Sequence, residues 1–600
     1  MAQSFVHQLV EHARVRPNEP AIHGKSKGPN GQWTTLTWSQ YNEAAREVAK
    51  GLIALGHQPG DCVAIVGANR PEWVICQFGV MAAQGIPAPS YATNTVEQVA
   101  HILRNSESRI AIADSRALND NWRAAVASDD ALSLSHVVCM LDDEDPDAMT
   151  LSALRALGRE QPDDELDARM AAITHDDTCL LIYTSGTTGV SKGVKLDHGG
   201  ILSVQKGALD HIPMFRDRDA HPYWIVSYLP LCHVAEQMLT NFISLAVGGQ
   251  IWFCPDMNQL RDYLVECRPT VFAGVPRVWE KFQAAMEAKL GQASAPRKAL
   301  ASWAMRTELA AQKQQMATGR PATGLARKAA NALVLRKIKS ALGLDRLEYA
   351  GTAAAPISVS TLEFFASLGI ILHEWYGMSE TTALATGNAV GEARFGTVGT
   401  PLSTVEVRIA DDGEILLRGR SMTRGYLRMP NKTAELIDDD NWLHTGDLGQ
   451  LDDGYLRITG RKKDILITAG GKNVAPAEME AHMMGIPGIG QAVVVGDRKP
   501  YLSALVVLDP ENLDTLAAAA GVPVAPLADL AANDAIKAWL MSQVEEHCNT
   551  RVARYQTIKR IAVLPSELSV EGGELTPTMK IRRATVTTKY AAQIEALYAT

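Results

Sequence analysis

The chain has 600 residues, of which 46% are hydrophobic and 21% are charged, and its net charge is −9. A chain of this length exceeds one compact core, so we expect a globular enzyme with at least two domains. The negative net charge argues against nucleic acid or an anionic membrane as the main partner, although it allows a local basic patch. Its 8 scattered cysteines, with no CxxC pair, favour free thiols over disulfides or a zinc site.

The amino-terminal segment predicts an amphipathic helix, because Phe5, Leu9, Val10 and Ala13 repeat with helical spacing. No run reaches the roughly 18 consecutive apolar residues of a membrane span. We therefore expect a soluble, cytoplasmic protein, and peripheral contact with a membrane stays open.

Short apolar runs alternate with helical patterns through roughly the first two thirds of the chain. They are CVAIVG, RIAIAD, TCLLIYTSG, GQIWFC, TVFAGVP and GIILHEWYG. Such runs between helices predict a largely parallel sheet covered by helices, with the active site in loops at the carboxyl ends of strands. Residues 283–340, rich in Ala, Lys and Arg, predict surface helices.

The pattern changes near residue 397. VEVRIADDGEILLRGR alternates around an Asp-Asp-Gly turn and predicts an antiparallel hairpin. We expect an α/β fold with a large amino-terminal domain at 1–459, built of parallel-rich sheets and helices, with a small β-barrel-like subdomain at about 397–459. Residues 460–464 are the expected hinge, and residues 465–600 the expected small, mobile α+β domain.

The strongest local signal for chemistry runs from Tyr183 to Gly193, directly after the strand-like run CLLIY. Its glycines and hydroxylated residues allow backbone N–H groups and hydroxyls to surround phosphate oxygens, and Lys192 adds a positive charge. Taken alone, this composition is more typical of a flexible surface loop. The spacing argues against the common P-loop, because Val190 and Ser191 separate the second glycine from the lysine.

Six motifs, in the same order, resemble those of the adenylate-forming superfamily, which includes acyl-CoA synthetases, peptide-synthetase adenylation domains and luciferases. They are TSGTTGVSKG, SYLPLCHVAEQ, YGMSETT, HTGDLG, GRKKDILITAGGKNVAPAEME and LTPTMKIRR. The phrases PTVFAGVPRVWEKF, ITAGGKNVAP and ELTPTMKIRR are most similar to long-chain and bubblegum-type fatty acyl-CoA synthetases. The resemblance implies that ATP and Mg²⁺ activate a carboxylic acid as an acyl-adenylate, and that coenzyme A then receives the acyl group.

The resemblance also implies which residues contact the nucleotide. Tyr376 is expected to stack on adenine, and Asp447 to accept hydrogen bonds from the ribose hydroxyls; a core tyrosine and a turn aspartate are the alternatives. Thr184 and Glu380 are expected to hold Mg²⁺, which prefers hard oxygen ligands. The expected ATP and AMP contacts are Thr184, Ser185, Gly186, Thr187, Thr188, Gly189, Lys192, Ala354, Tyr376, Gly377, Ser379, Glu380, Thr381, Asp447, Arg461 and Lys580.

Lys580, Lys192 and His233 are the expected catalytic residues. A lysine ammonium between the attacking carboxylate and the α-phosphate would offset the repulsion of two anions. His233 is expected beside the carboxylate pocket, with a core histidine as the equal alternative. No nucleophilic side chain is expected, because the thiol of coenzyme A attacks in the second step.

The resemblance implies that the small domain rotates about Lys463 between the two steps. Lys580 would then withdraw, and Gly470 and Gly471 would line the pantetheine tunnel, where glycine permits close backbone approach. A plain tight turn is the alternative for these glycines. Ala353 departs from the family pattern, because it stands where the adenine-side motif has a glycine, so we expect a narrowed pocket or a shifted backbone there.

Other functions stay open on the sequence alone. A fatty acyl-AMP ligase would deliver the acyl group to a carrier protein, although the intact hinge motif favours free coenzyme A. A ligase for a medium-chain or aryl acid, an inactive binding paralogue and a luciferase are further alternatives. The partners expected are small molecules rather than nucleic acid, and the oligomeric state is open.

Overall fold

The computed structural model describes residues 4–26, 31–184, 191–320, 322–576 and 580–599. Its β-strands are distributed from residue 20 to residue 564. In chain order they are β1 (Pro20–Lys25), β2 (Trp33–Thr37), β3 (Cys62–Val66), β4 (Ile86–Pro89), β5 (Ile110–Ala113), β6 (His136–Cys139), β7 (Met149–Thr150), β8 (Thr178–Thr184), β9 (Lys192–Asp197), β10 (Trp224–Ser227), β11 (Gln250–Phe253), β12 (Val271–Gly274), β13 (Tyr349–Thr352), β14 (Leu372–Tyr376), β15 (Thr386–Gly387), β16 (Thr400–Pro401), β17 (Val405–Ile409), β18 (Glu414–Gly419), β19 (Leu443–Asp452), β20 (Tyr455–Arg461), β21 (Leu466–Ile467), β22 (Asn473–Val474), β23 (Ile489–Val495), β24 (Leu502–Leu508) and β25 (Ile558–Leu564).

The α-helices lie between these strands and at both ends of the chain. They are α1 (Phe5–Val15), α2 (Trp38–Ala54), α3 (Pro71–Ala82), α4 (Val96–Ser106), α5 (Arg116–Ala127), α6 (Leu151–Arg159), α7 (Asp164–Ala172), α8 (His198–His211), α9 (Val234–Glu236), α10 (Ser244–Val247), α11 (Leu260–Cys267), α12 (Pro276–Gly291), α13 (Ala295–Thr318), α14 (Leu325–Ala330), α15 (Arg336–Ala341), α16 (Val359–Ser367), α17 (Pro430–Leu436), α18 (Pro476–Met484), α19 (Leu513–Ala520), α20 (Leu527–Ala532), α21 (Asp534–His547), α22 (Arg583–Lys589) and α23 (Ala591–Ala596). Two π-helical segments, Gln237–Ile243 and Asn331–Leu335, continue α9 and α14.

Two parallel-rich sheets form the large amino-terminal domain, as the sequence predicts. The first has 9 strands in the order β16-β15-β14-β13-β12-β10-β11-β1-β2, and the second has 5 strands in the order β4-β3-β5-β6-β7. Pairing is parallel from β14 through β1 in the first sheet and throughout the second. Parallel strands buried on both faces explain the continuous apolar runs, such as the fully buried β3.

The run TCLLIYTSG is an exception to the predicted parallel arrangement. It forms β8, which pairs antiparallel with β9 in a separate two-stranded ribbon. Its central residues are buried even so, and a short apolar run has the same appearance in a buried hairpin as in a parallel sheet. The pairing brings Thr184 opposite Lys192, at the two ends of the predicted phosphate loop.

The amino-terminal helix is confirmed, and it packs into the main core through Phe5, Val6 and Leu9. The helix α2 begins at Trp38 because Thr37 and Gln40 form a capping box. It then packs against α3 and α6 and against the strands β1 and β2 at the edge of the nine-stranded sheet. Among the described residues, no helix combines the length and the apolar character needed to cross a bilayer.

The predicted hairpin is confirmed as β17 and β18, and two more strands extend it to a four-stranded antiparallel sheet, β17-β18-β19-β20. The small carboxyl-terminal domain follows. It contains the three-stranded sheet β23-β24-β25 with α18, α19 and α21 packed in its core. This is the α/β fold of a large parallel-rich domain followed by a small domain that the sequence predicts.

Candidate active site

The candidate site lies where several strands of the nine-stranded sheet end. His233 lies in the turn after β10, Ala354 follows β13, and Tyr376 is the last residue of β14. Because β10, β12, β13 and β14 are parallel, their carboxyl ends lie along one edge of the sheet. The fold therefore brings three expected site residues, distant in sequence, to the same edge.

Asp447 connects the predicted adenine platform with the predicted ribose site. Its Oδ2 accepts a hydrogen bond of 2.8 Å from the hydroxyl of Tyr376, and its Oδ1 lies 2.7 Å from Nε of Arg461. Asp447 on β19 and Arg461 on β20 are direct cross-strand partners, which explains their pairing. Burial raises the pKa of Tyr376, so this phenol stays protonated as a donor to the carboxylate.

Glu380 lies in the short 3₁₀ turn Ser379–Thr381, directly after β14. It is only 6% exposed, and its Oε1 accepts a hydrogen bond of 2.8 Å from the hydroxyl of Tyr426. Its other oxygen, Oε2, makes no hydrogen bond with the described residues. Gly377 is needed before this turn, because a Cβ there would collide with the backbone oxygen of Ala383. The fully buried Thr381 closes the turn by bonding to the backbone of Met378.

Tyr426 is a site residue that the sequence analysis missed. The ammonium of Lys192 lies 4.5 Å from the centre of its ring, so one tyrosine contacts both Lys192 and Glu380. The segment around Tyr426 runs beside β9, where the N–H of Leu427 donates to the oxygen of Gly193. No motif marks Tyr426, and only its pairing with β9 reveals it.

The predicted phosphate loop is fixed at both ends. The hydroxyl of Ser191 donates to the backbone oxygen of Thr184 over 2.9 Å, and Nε2 of His101 lies 2.7 Å from the backbone oxygen of Ser191. Thr184 is half-buried at the end of β8. The expected contacts of Ser185, Gly186, Thr187, Thr188 and Gly189 lie outside the described residues.

Lys580 reaches the site from the small domain. Leu575 pairs with Ile581 in an isolated antiparallel bridge, and the N–H of Lys580 donates to Oγ1 of Thr576. Burial and the charge of Arg461 lower the pKa of Lys580 to about 8, while Asp447 and Glu380 oppose that shift. The ammonium therefore lies within electrostatic range of carboxylates from the large domain.

His233 is close to the same lysine. Burial and the charge of Lys580 lower the pKa of His233 to about 3, so the ring is neutral at physiological pH. Its Nδ1 accepts a hydrogen bond of 3.2 Å from the N–H of Ala235 at the start of α9. The acceptor role of Nδ1 leaves the proton on Nε2, which is free to donate to a ligand.

The turn that carries His233 is held by a buried carboxylate that the sequence analysis did not single out. Oε1 of Glu236 accepts hydrogen bonds from the hydroxyls of Ser227 at 2.6 Å and Thr240 at 2.5 Å. Burial raises the pKa of Glu236 to about 7, while these hydroxyls and the backbone of Leu229 and Tyr228 oppose the shift. The carboxylate thus joins the end of β10 to the helix after His233.

The adenine-side segment has an unusual backbone at Ala354. Its φ is +76°, in the left-handed region that a residue with a Cβ rarely adopts. The neighbouring Ala353, which replaces the glycine of the resembling motif, is half-buried and packs on the main core. The left-handed backbone is therefore at Ala354, one residue after Ala353, where the sequence departs from the family motif.

The expected hinge is tied to the four-stranded sheet by ion pairs. β20 ends at Arg461, and the 3₁₀ turn Lys462–Asp464 follows, with Lys463 exposed in its middle. Nζ of Lys462 lies 2.7 Å from Oδ2 of Asp412 and 2.9 Å from Oε2 of Glu414. These contacts hold the start of the turn against the β17–β18 hairpin.

Gly470 and Gly471 lie away from this cluster, in the exposed turn between β21 and β22. Gly471 has a left-handed φ of +72°, which favours glycine. Gly470 has no such φ, and a Cβ there would approach only Oγ1 of Thr468, at 3.9 Å. In the arrangement in which the charge of Asp447 acts on Lys580, these glycines are therefore on the surface.

Known proteins are similar in sequence to nearly the whole of this chain. The chain is 34% identical to the long-chain-fatty-acid–CoA ligase ACSBG2 of Xenopus laevis, over 99% of this chain and 83% of that protein. It is 36% identical, over 95% of its length and 93% of the other protein, to the long-chain-fatty-acid–CoA ligase FadD15 of Mycobacterium tuberculosis.

Solved structures show the same fold at lower identity. The adenylation domain of a carboxylate reductase from Mycobacterium chelonae has a TM-score of 0.76 at 21% identity, over 100% of this chain and 91% of that one. ATP-bound MatB from Rhodopseudomonas palustris has a TM-score of 0.70 at 22% identity, over 98% of this chain and 99% of that one. Family models for the AMP-binding enzyme and for the AMP-binding enzyme C-terminal domain match residues 9–427 and 463–600. The chain therefore belongs to the AMP-binding enzyme family.

Proposed function

We propose that the protein is an ATP-dependent acyl-CoA synthetase for long-chain fatty acids. One observation supports this most directly: Lys580 of the small domain lies within electrostatic range of Asp447 and Glu380 of the large domain. The long-chain ligases that are 34–36% identical over nearly the whole chain support the choice of acid and acceptor. The likeness extends over both domains, as a two-step ligase requires.

In the first step, a carboxylate oxygen attacks the α-phosphorus of ATP, and the bond to the outer diphosphate breaks. Lys580 offsets the charge where the acid approaches, and Lys192 the charge of the departing pyrophosphate. Neutral His233 donates from Nε2 toward the substrate carboxylate without adding a net charge. Tyr376 and Asp447 orient the adenosine, and Arg461 holds Asp447 in place.

Mg²⁺ fits the residues that would hold it. Glu380 offers Oε2, which makes no hydrogen bond with the described residues, and Thr184 offers a hydroxyl at the end of β8. Both are hard oxygen ligands of the kind Mg²⁺ prefers beside phosphates. When bound, the ion would supply charge neutralisation on the phosphate oxygens.

In the second step, the thiol of coenzyme A attacks the acyl carbonyl, a thioester bond forms, and AMP departs. We place the hinge of the small domain at 460–464, with Lys463 as the pivot. Gly470 and Gly471 then reach the pantetheine, which accounts for a glycine at 470 that the present arrangement does not require.

The test offers the purified protein ATP, Mg²⁺ and a panel of acids of increasing chain length, with aryl acids included. Acid-dependent exchange of pyrophosphate into ATP reports the first step, and acyl-CoA formation reports the second. We expect both with long-chain acids. Adenylation without transfer to coenzyme A, but with loading of a carrier protein, would indicate an acyl-AMP ligase. No adenylate from any acid would refute the proposal.

A further inference from the structure

Positive charge is concentrated in one short part of this acidic chain. Residues 294–341 contain 10 of the 58 basic residues and 1 of the 67 acidic residues. The basic residues are Arg297, Lys298, Arg306, Lys313, Arg320, Arg327, Lys328, Arg336, Lys337 and Lys339. We call residues 294–341, except Pro321, the basic arm. The net charge of the whole chain therefore hides a strongly cationic segment.

The basic arm is a helical layer on the surface of the large domain. α13 packs its Ala304 and Glu308 face inward against α16 and against the helices that follow. From Leu325 to Ala341, α14, a π-helical segment and α15 form one continuous helical stretch, which buries Ala330 and Leu335. The opposite face of both stretches is left to solvent.

The acidic residue of the arm neutralises only its inner cations. The guanidinium of Arg327 binds both oxygens of the buried Glu308, and the charge of Glu308 also acts on Lys339. Lys313 pairs with Glu363 of α16. The other arm cations are exposed, and none has an ion-pair partner within the described part of the chain.

Large apolar side chains stand among these exposed cations. Leu325 is 86% exposed and Leu333 is 53% exposed, and both lie on the same helical stretch as Lys328, Arg336 and Lys337. Neither leucine belongs to a hydrophobic cluster of the described residues, although Val334 and Ile338 of the same stretch do. A partner that offers negative charge and an apolar interior together would satisfy both groups.

We propose that the basic arm docks the protein onto the surface of an anionic lipid bilayer. Lysine and arginine side chains would contact the anionic headgroups, while Leu325 and Leu333 would enter the boundary with the acyl chains. Nucleic acid would satisfy the cations but leave the leucines in water, so we favour the bilayer. This inference concerns the outer face of the arm and does not depend on the proposed catalytic function.

The test measures co-sedimentation of the full-length protein with vesicles. Phosphatidylglycerol-rich vesicles should bind the protein at low salt, phosphatidylcholine vesicles should not, and high salt should release it. Each basic residue near an anionic bilayer contributes about fivefold in affinity, so the triple variant Lys328→Gln, Arg336→Gln, Lys337→Gln should bind about 10²-fold more weakly. The double variant Leu325→Ser, Leu333→Ser should also bind more weakly, by about tenfold or more.

Matched control variants change exposed residues of the same kinds on other surfaces. The triple variant Arg261→Gln, Arg498→Gln, Lys559→Gln removes the same charge, and Val524→Ser removes an apolar side chain that is 61% exposed. Both controls should bind vesicles within about twofold of the unaltered protein. Thermal unfolding checks that each variant folds.

Three results would overturn the proposal. The first is that the unaltered protein fails to bind anionic vesicles at low salt. The second is that the control charge variant loses as much affinity as the arm variant. The third is arm-dependent binding of transfer RNA without binding of vesicles, which would identify the arm as a nucleic-acid surface.

Discussion

The hydroxyl of Tyr376 lies 2.8 Å from Oδ2 of Asp447, which joins the end of β14 to the middle of β19. Arg461 contacts the other oxygen of the same carboxylate. The side chain expected at the ribose is therefore oriented from two directions before a nucleotide arrives. Pre-oriented groups lose less entropy on binding, so this pair should matter most for the affinity of ATP.

Tyr376→Phe removes the hydrogen bond to Asp447 and keeps the ring. Hydrogen bonds to charged groups contribute about 1.5–3 kcal/mol, so the KM for ATP should rise by about ten- to a hundredfold, with a smaller change in kcat. Pyrophosphate exchange at varied ATP measures this. Tyr455→Phe is the control, because the hydroxyl of Tyr455 binds the backbone of Glu392 outside the site. Equal effects of the two variants would contradict the role of Asp447.

Lys580→Ala should impair the first step far more than the second. Loss of one group that stabilises developing charge costs about 10²–10³ in rate. Pyrophosphate exchange should therefore fall by that factor, while thioester formation from supplied acyl-adenylate should remain. Lys559→Ala, an exposed lysine of the same domain, is the control. Exchange at a near-normal rate in Lys580→Ala would exclude this lysine from the first step.

The pH dependence of adenylation should show the lowered pKa of Lys580. Its ammonium is present below about pH 8 and is lost as the pH rises through that value. kcat/KM for ATP reports the free enzyme, so it should decline above about pH 8. Lys580→Arg keeps its charge at every accessible pH, and its profile should lack this decline. The same decline in the arginine variant would assign it to another group.

Glu236→Gln should impair adenylation through His233. The hydroxyls of Ser227 and Thr240 both donate to Oε1 of Glu236, and the amide oxygen of glutamine can still accept from them. The amide nitrogen cannot accept from the backbone N–H groups of Tyr228 and Leu229, which also bond to this carboxylate. Leaving buried donors unpaired costs about 1–3 kcal/mol, which corresponds to about ten- to a hundredfold in rate if the turn shifts.

A double-mutant cycle with His233→Ala separates this positioning role from a general loss of stability. If Glu236 acts through His233, the double variant should be little worse than the worse single variant. Glu308→Gln is the matched control, since it changes a glutamate that is equally buried but lies outside the site. Fully additive losses would show that Glu236 acts independently of His233.

Ala354→Gly should stabilise the protein, because glycine adopts a φ of +76° without strain. Relief of left-handed strain, reduced by the greater backbone entropy of glycine in the unfolded chain, leaves a net gain of about 0.5–1 kcal/mol. Urea unfolding measures it. Ala355→Gly has no such strain to relieve and should destabilise the protein slightly. A loss of stability in both variants would mean that the backbone at 354 is not strained.

The sequence predicts the strands well where periodicity is local. β3, β5, β11, β12 and β14 each coincide with an apolar run, and the hairpin β17–β18 coincides with alternation around Asp-Asp-Gly. The prediction that β8 belongs to a parallel sheet was wrong, because a buried strand has the same composition in an antiparallel ribbon as in a parallel sheet. Strand pairing depends on distant segments that a single run does not contain.

For the site, ordered motifs identified residues, but contacts between motifs had to come from the structure. Tyr376, Asp447 and Arg461 were predicted separately, and their hydrogen bonds follow from the packing of β14 against β19 and β20. Tyr426 and Glu236 were missed because neither lies in a motif position with an expected role. Tyr426 contacts Lys192 and Glu380 from a distant part of the chain. The partners of Glu236 are nearby in sequence, but its burial depends on the packing of the whole domain.

The surface turn at Gly470 offers a single methyl group as a selective probe. Alanine fits there without strain or collision in the arrangement seen, so it should leave folding and nucleotide binding untouched. Any defect from that methyl group would report on a second arrangement of the two domains. A substitution at this position therefore distinguishes the domain arrangement described here from a second arrangement in which residue 470 is buried.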